Sequence, residues 1–223
     1  MKNLIITAHT PAGFSAKFDW SISIDGILAY QVMRERLGDD EFYTTHGTPH
    51  MQKPVEGLPL DVDRQGGDWW YKCSRPFFET MAIHSTNHHR RFNSQECELY
   101  VHGKIAAIQT TKGPYKNARI AIQRFITPSV NWHVIGDEEE ISRLLKSVTH
   151  IGAQRRAGMG FVSRWEVDCG GDENIATNLR AMPISIAQGR GLDGVIMEWA
   201  IRPPSQVPEN IRACIIPINS YAG

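Results

Sequence analysis

Ile151-Gly152-Ala153-Gln154-Arg155-Arg156-Ala157-Gly158-Met159-Gly160-Phe161 sets three glycines and two adjacent arginines between a segment of helical periodicity and one of strand periodicity. Upstream, Asp137 to His150 opens with Asp137, Glu138, Glu139 and Glu140 and closes with Arg143, Lys146 and His150. That charge order complements a helix macrodipole. Ile141, Leu144, Leu145 and Val148 recur at i, i+3, i+4 and i+7, so the pattern predicts one helix over 137–150. Gly152 follows where a left-handed C-terminal cap belongs. Downstream, Phe161, Ser163, Trp165 and Val167 alternate with Val162, Arg164 and Glu166, which predicts a strand. Glycine backbone can approach a ligand closely and offer N–H groups to an anion. Arginine forks match phosphate oxygens. The loop therefore reads as a holder of a polyanion, with Gly152, Gln154, Arg155, Arg156, Gly158 and Gly160 as candidate contacts. A nucleoside triphosphate loop is excluded, because it runs from strand to helix and carries Gly-Lys-Ser/Thr.

Working outward, Leu4, Ile6 and Ala8 alternate with Ile5, Thr7 and His9, an opening strand. Ser23 to Leu37 reads as a helix capped by Ser23 or Asp25, with Ile24, Ile27, Leu28 and Val32 facing a core and Gly38 ending it. Residues 39–67 are rich in Pro, Gly and His and read as a long loop or inserted element. Strand character returns over Glu98–Gln109 and Arg119–Phe125, and a last strand is expected over Ala213–Ile218. Strand, helix, strands, helix, strand is the order of a ferredoxin-like (RRM-like) β-α-β-β-α-β unit, so the expected class is α+β. Its expected extent is 1–168, with an inserted thumb or loop region over about 39–97 and a C-terminal β-rich extension over 169–223.

The formal net charge of the 223 residues is zero, but its distribution is uneven. Residues 1–72 hold 7 basic against 10 acidic side chains, whereas residues 73–124 hold 8 against 3, with His84, His88, His89 and His102 in addition. A basic middle between acidic ends suits one nucleic-acid face and other faces for protein neighbours. His88, His89, Arg90 and Arg91 are the densest cluster, and Lys112, Lys116, Arg119 and Arg124 extend the same track. His84 and His88 have the spacing of a helical metal-ligand pair, but the glutamate of a zincin is absent and no third ligand is evident, so no metal is expected. Trp69, Trp70 and Tyr71 are read as core residues first and as base-stacking platforms second. Cys73, Cys97, Cys169 and Cys214 are scattered, without a C-x-x-C pair, and the apolar run Leu4-Ile5-Ile6 is too short for a signal or membrane segment. A cytoplasmic protein without a cofactor and without membrane contact is expected.

Several stretches resemble a known family. These are Ile24-Asp25-Gly26-Ile27-Leu28-Ala29-Tyr30, Gly57-Leu58-Pro59-Leu60, Gly67-Asp68-Trp69-Trp70-Tyr71-Lys72-Cys73-Ser74, the loop 152–160, and Pro203-Pro204 with a strand ending at Pro217. Together they resemble the RAMP superfamily of CRISPR effector subunits, and within it the type IV subunit that holds the 5′ handle of the guide RNA. The resemblance implies a non-catalytic subunit that grips the crRNA 5′ handle, touches the backbone and large subunits, and meets target DNA only through the complex. It implies that the loop 152–160 meets RNA. Under it, the basic stretch 88–91 reads as a thumb over the handle.

Two rivals stay open. A RAMP-family endoribonuclease would process precursor crRNA with a histidine as general acid or base, from His84, His88, His89 or His102. An ordinary RNA recognition motif fits poorly, because Met159 and Arg164 stand where aromatic residues belong and a helix precedes the strand. No nucleophile motif or cofactor fingerprint supports a small-molecule enzyme.

Overall fold

Leu4, Ile6 and Ala8 are completely buried and set the position of everything else. They lie on strand β1 (Lys2–His9), which pairs antiparallel with β6 (Ser129–Gly136) on one side and β7 (Arg164–Cys169) on the other. A computed structural model describes residues 1–41, 54–90, 111–112 and 116–217 of the chain. Among them the strands form four small antiparallel sheets accompanied by helices, an α+β arrangement.

The register explains the core. Ile6 stands opposite Trp132 and Val167, Leu4 opposite Val134, and Ala8 opposite Val130. Alternate residues of a strand share a face, so these side chains form one apolar surface. Helix α1 (Ile24–Glu41) and helix α2 (Glu138–Leu145) contribute Ile24, Leu28, Ile141, Leu144 and Leu145 to the same core cluster. Asp137 caps α2, its carboxylate accepting from the N–H groups of Glu139 and Glu140 at 3.1 and 3.2 Å. Ser23 does the same for α1, accepting from Gly26 N–H at 3.3 Å. Gly38, at φ +72°, breaks the regular helix where the sequence ends it.

Helix α2 is shorter than its sequence pattern suggests. It ends at Leu145 with Lys146 as its cap, five residues before His150. Val148 is buried as the stripe requires, but from irregular backbone beyond the turn at 146–147. Residues 149–151 are drawn into pairing instead: Val162 N–H donates to Thr149, Ile151 N–H donates to Gly160, and His150 bridges Phe161. Trp165 Nε1 also donates to the Val148 carbonyl at 2.8 Å. Gly152 is therefore left-handed (φ +76°) as expected, but it closes a loop rather than a helix. The following strand begins at Arg164, three residues later than its alternation indicates.

The outer edge of β6 is covered by the extended stretch Cys73–Phe77, with Phe77 and Asn131 exchanging backbone hydrogen bonds at 2.8 Å. Ahead of it, β2 (Val62–Gln65) and β3 (Asp68–Tyr71) form a hairpin. Strands β4 (Ala82–Arg90) and β5 (Ala118–Ile126) form a two-stranded ribbon. The strand expected over Glu98–Gln109 lies outside the described residues, as do Arg91, His102 and Cys97.

After helix α3 (Glu173–Asn178), a second sheet orders β8 (Met182–Pro183), β10 (Ile211–Ile216) and β9 (Val195–Ala200), with helix α4 (Ile184–Gly189) against it. Its core gathers Met182, Ile186, Ala187, Ile201, Cys214 and Ile215 around Trp70 of β3. Four arginines of this region reach back across the junction. Arg190 pairs with Asp63 at 2.7 Å, Arg212 with Asp68 at 2.9 Å, Arg202 lies 4.8 Å over the Trp69 ring, and Arg180 faces Asp25 of α1 at 3.5 Å. Cys73, Cys169 and Cys214 are free thiols. No helix among the described residues is long and apolar enough to cross a membrane.

Candidate nucleic-acid interface

Two of the three loop glycines are required by the loop's own backbone. A Cβ on Gly160 would stand 1.9 Å from the Ile151 carbonyl oxygen, and one on Gly152 would stand 2.4 Å from that of Ser15. Both also have positive φ, which glycine alone adopts without cost. Gly158 is left-handed too, but its Cβ direction opens into space. Between these pivots Gln154 is left-handed (φ 57°) and Arg155–Ala157 form a single 3₁₀ turn. Ala157, Gly158 and Met159 turn their N–H groups inward to the carbonyls of Gln154 and Arg155. The loop thus projects Ala153 to Gly158 into solvent on a rigid base, with Arg155 and Arg156 both exposed.

The stretch Phe14–Ser15 ties this loop to the basic ribbon. Phe14 exchanges backbone hydrogen bonds with Phe125 of β5 at 3.0 and 2.8 Å, and Ser15 accepts from Ala153 N–H at 2.7 Å. Gly13 permits the approach, since a Cβ there would lie 2.1 Å from the Phe125 oxygen. Along the ribbon His89 stands opposite Arg119, His84 opposite Arg124, His88 opposite Ile120 and Arg90 opposite Ala118. The histidine–arginine run of β4 and the basic residues of β5 therefore share one element. Arg119 and His89 are exposed, as are Lys112 and Lys116. Arg124 is held at the base, its Nε donating to the Ala12 carbonyl.

The strand overturns the helical ligand spacing read for His84 and His88. Four residues along a strand span roughly 13 Å, against one turn of a helix. Among the described residues no group of three or more His, Cys, Asp or Glu side chains is placed to hold a metal ion.

Trp70 and Tyr71 are core residues, 0% and 1% exposed. Tyr71 Oη donates to the Val55 carbonyl at 2.8 Å, and burial pushes its pKa up to about 12. Burial likewise raises the Cys73 thiol to about 12, so it is inert at neutral pH. Trp69 is half-buried beneath Arg202 and Arg64. None of the three is an open stacking platform.

A concavity lies elsewhere among the described residues, between α1 and the C-terminal sheet, and has a volume of about 830 Å³. Arg155 of the glycine loop stands on its rim, 5.8 Å over the Tyr30 ring of α1. Trp20, Trp199, Arg75, Arg180 and Arg202 also line it, with Asp25 and Glu198 as the acidic side chains. Burial lowers the pKa of Arg75 and of Arg202, and both remain charged at neutral pH. Arg180 is almost wholly buried; its Nη2 donates to the Ile201 carbonyl at 2.6 Å and faces Asp25, and its Nη1 donates to the Tyr71 carbonyl. The sequence reading missed this groove, because its residues come from segments spread from Trp20 to Ile216 and no one segment shows that they meet.

Residues 2–217 match the family model described as Csf3, CRISPR type IV associated protein. No curated protein matches the chain.

Proposed function

Because the chain belongs to the Csf3 family of CRISPR type IV associated proteins, which are RAMP-type subunits, we propose that it is the non-catalytic RNA-binding subunit of a type IV effector complex. In this reading it holds the crRNA 5′ handle and anchors the backbone and large subunits. It meets target DNA only through them, in the cytoplasm.

One observation carries the proposal. Arg155 and Arg156 project from a loop whose base is fixed by Gly152 and Gly160, and Phe14–Ser15 joins that loop to the ribbon bearing His89 and Arg119. We assign these cationic side chains to the sugar–phosphate backbone of the RNA. Gln154, Gly158, His88, Arg90, Lys112 and Lys116 are assigned to the same path, as is Arg91 from its place in the sequence alone, since it lies outside the described residues. The topology supports a ferredoxin-like reading: β1 lies between β6 and β7, which α2 connects, and Cys73–Phe77 lies along β6 as a fourth edge.

The test measures affinity for a guide RNA carrying its repeat-derived 5′ tag over a range of salt concentrations. Each lost phosphate contact on a single strand reduces the slope of log K against log salt by about 0.7. Arg155→Ala with Arg156→Ala should lower the slope by about 1.4. An unchanged slope rejects the loop as the phosphate contact. Site-specific cleavage of precursor RNA that is lost in His84→Ala or His89→Ala would replace the proposal with a processing endoribonuclease.

A further inference from the structure

We propose that the outer edge of β9 accepts an extended strand from a neighbouring protein subunit, an inference that rests on the reading of this chain as part of an effector complex. The first observation is how the other sheet edges are guarded. Cys73–Phe77 covers the edge of β6. Strand β7, at the opposite edge of that sheet, carries Arg164, Glu166 and Asp168 on alternate residues. In the C-terminal sheet β8 is two residues long and ends in Pro183. Cover, repeated charge, shortness and proline are devices by which sheet edges avoid further pairing. Strand β9 stands apart. It forms the edge of the β8-β10-β9 sheet and runs through six residues, Val195-Ile196-Met197-Glu198-Trp199-Ala200, with a single charge and no proline. It pairs with β10 without a bulge, and Ile196 is 64% exposed.

The second observation is which backbone groups face outward. Ile201 N–H donates to the Asn210 carbonyl at 2.9 Å, in register with the pair of Ala200 and Ile211. Hydrogen-bonded pairs alternate along an antiparallel ladder, so Val195, Met197 and Trp199 direct their N–H and C=O groups to β10. Ile196 and Glu198 direct theirs away from it. These outward groups have no backbone partner among the described residues.

The third observation fixes the occupant. Over residues 193–200 the charged side chains are Asp193 and Glu198, both exposed and both acidic. They repel phosphate, and RNA offers no alternation of N–H and C=O at strand spacing. An extended peptide offers that alternation, and its own side chains would stand opposite Ile196 and Glu198 on one face. An apolar residue followed two positions away by lysine or arginine complements them. Glu198, Trp199 and Ala200 also border the groove beside α1, so the added strand runs from its rim towards Val195.

The test reads amide hydrogen exchange residue by residue in the free chain, with handle RNA alone, and in the effector complex reconstituted with its other subunits. The amides of Ile196 and Glu198 should exchange rapidly in the first two states and about tenfold or more slower in the complex. Those of Met197 and Trp199, bonded to β10, should stay slow throughout. Glu198→Pro removes an outward N–H at a position where an edge strand tolerates proline, and should weaken incorporation into the complex about tenfold. Ile196→Lys keeps every backbone group and places a charge on the edge. It should weaken incorporation without moving the melting temperature, which guards against unfolding of the proline variant. Rapid exchange of both amides within the complex overturns the proposal. Slow exchange in the free chain also overturns it: a monomer by sedimentation shows that the chain covers its own edge, and a dimer that a second copy does. Slow exchange with RNA alone overturns it in favour of RNA along the rim. Protection within a complex whose chain fails to bind handle RNA leaves the edge standing and overturns the RNA-binding reading instead.

Discussion

Arg180 Nη2 faces Asp25 Oδ2 at 3.5 Å, with both side chains more than nine-tenths buried, and this pair joins α1 to the C-terminal sheet. Removing one member strands the other charge away from water, which typically costs 3–5 kcal/mol. Arg180→Ala should therefore destabilise the protein by about 3 kcal/mol or more. Replacing both residues by apolar ones should restore part of the loss. Urea unfolding of the single and double variants checks this; an additive result would show that the two residues are not coupled.

Gly160 and Gly158 have nearly the same φ, +74° and +76°, yet differ in what surrounds them. Gly158→Ala meets only the left-handed backbone penalty, about 1–2 kcal/mol. Gly160→Ala adds the collision with the Ile151 carbonyl oxygen and should cost substantially more. Comparing the two by thermal and urea unfolding separates conformational strain from close backbone approach. Equal losses would mean that the loop base yields to the added methyl.

His133 of β6 accepts a hydrogen bond on Nδ1 from Asp172 N–H at 3.0 Å. Burial lowers its pKa below the ordinary 6.5, an effect larger than the opposing pull of Asp172. The unfolded chain then takes up the proton first as pH falls, so stability should drop through and below pH 6.5. The contribution is fully present above that value. His133→Asn, which retains an acceptor without titrating there, should flatten this part of a melting-temperature profile. An unaltered profile would assign the acid sensitivity to another group.

Arg119 projects from β5 opposite His89 on the exposed ribbon. Arg119→Ala should change stability by no more than about 0.5 kcal/mol, the range of ordinary surface substitutions, and so barely move the melting temperature. It should lower the salt slope of guide binding by about 0.7. A changed melting temperature with an unchanged slope would make the ribbon a packing element and not a phosphate track.

Much of the architecture is legible in the chain because it depends on local periodicity. The alternation at Leu4, Ile6 and Ala8, the stripe at Ile141, Leu144 and Leu145, and the turn signal of Gly38 each record which side of an element meets the core. The burial of Trp70 and Tyr71 was legible for a different reason, the large apolar area that aromatic side chains bring to a core. Where helix α2 stops was not, because the pairing of residues 149–151 with 160–162 outweighs a helical pattern that would otherwise run on.

The loop at 152–160 shows the division most clearly. Its composition announces a bend bearing two guanidinium groups, since glycine spacing and charge belong to the residues themselves. That Gly152 rests on Ser15, that Phe14 carries the ribbon beside it, and that Arg155 overlooks a groove lined by Trp20, Arg180 and Trp199 depends on contacts between residues far apart in the chain. Side chains from distant segments converge there because two hydrophobic cores pack against one another through Trp70 and the buried pair of Arg180 and Asp25. No short window of residues encodes that meeting, because its free energy arises from burial across the junction.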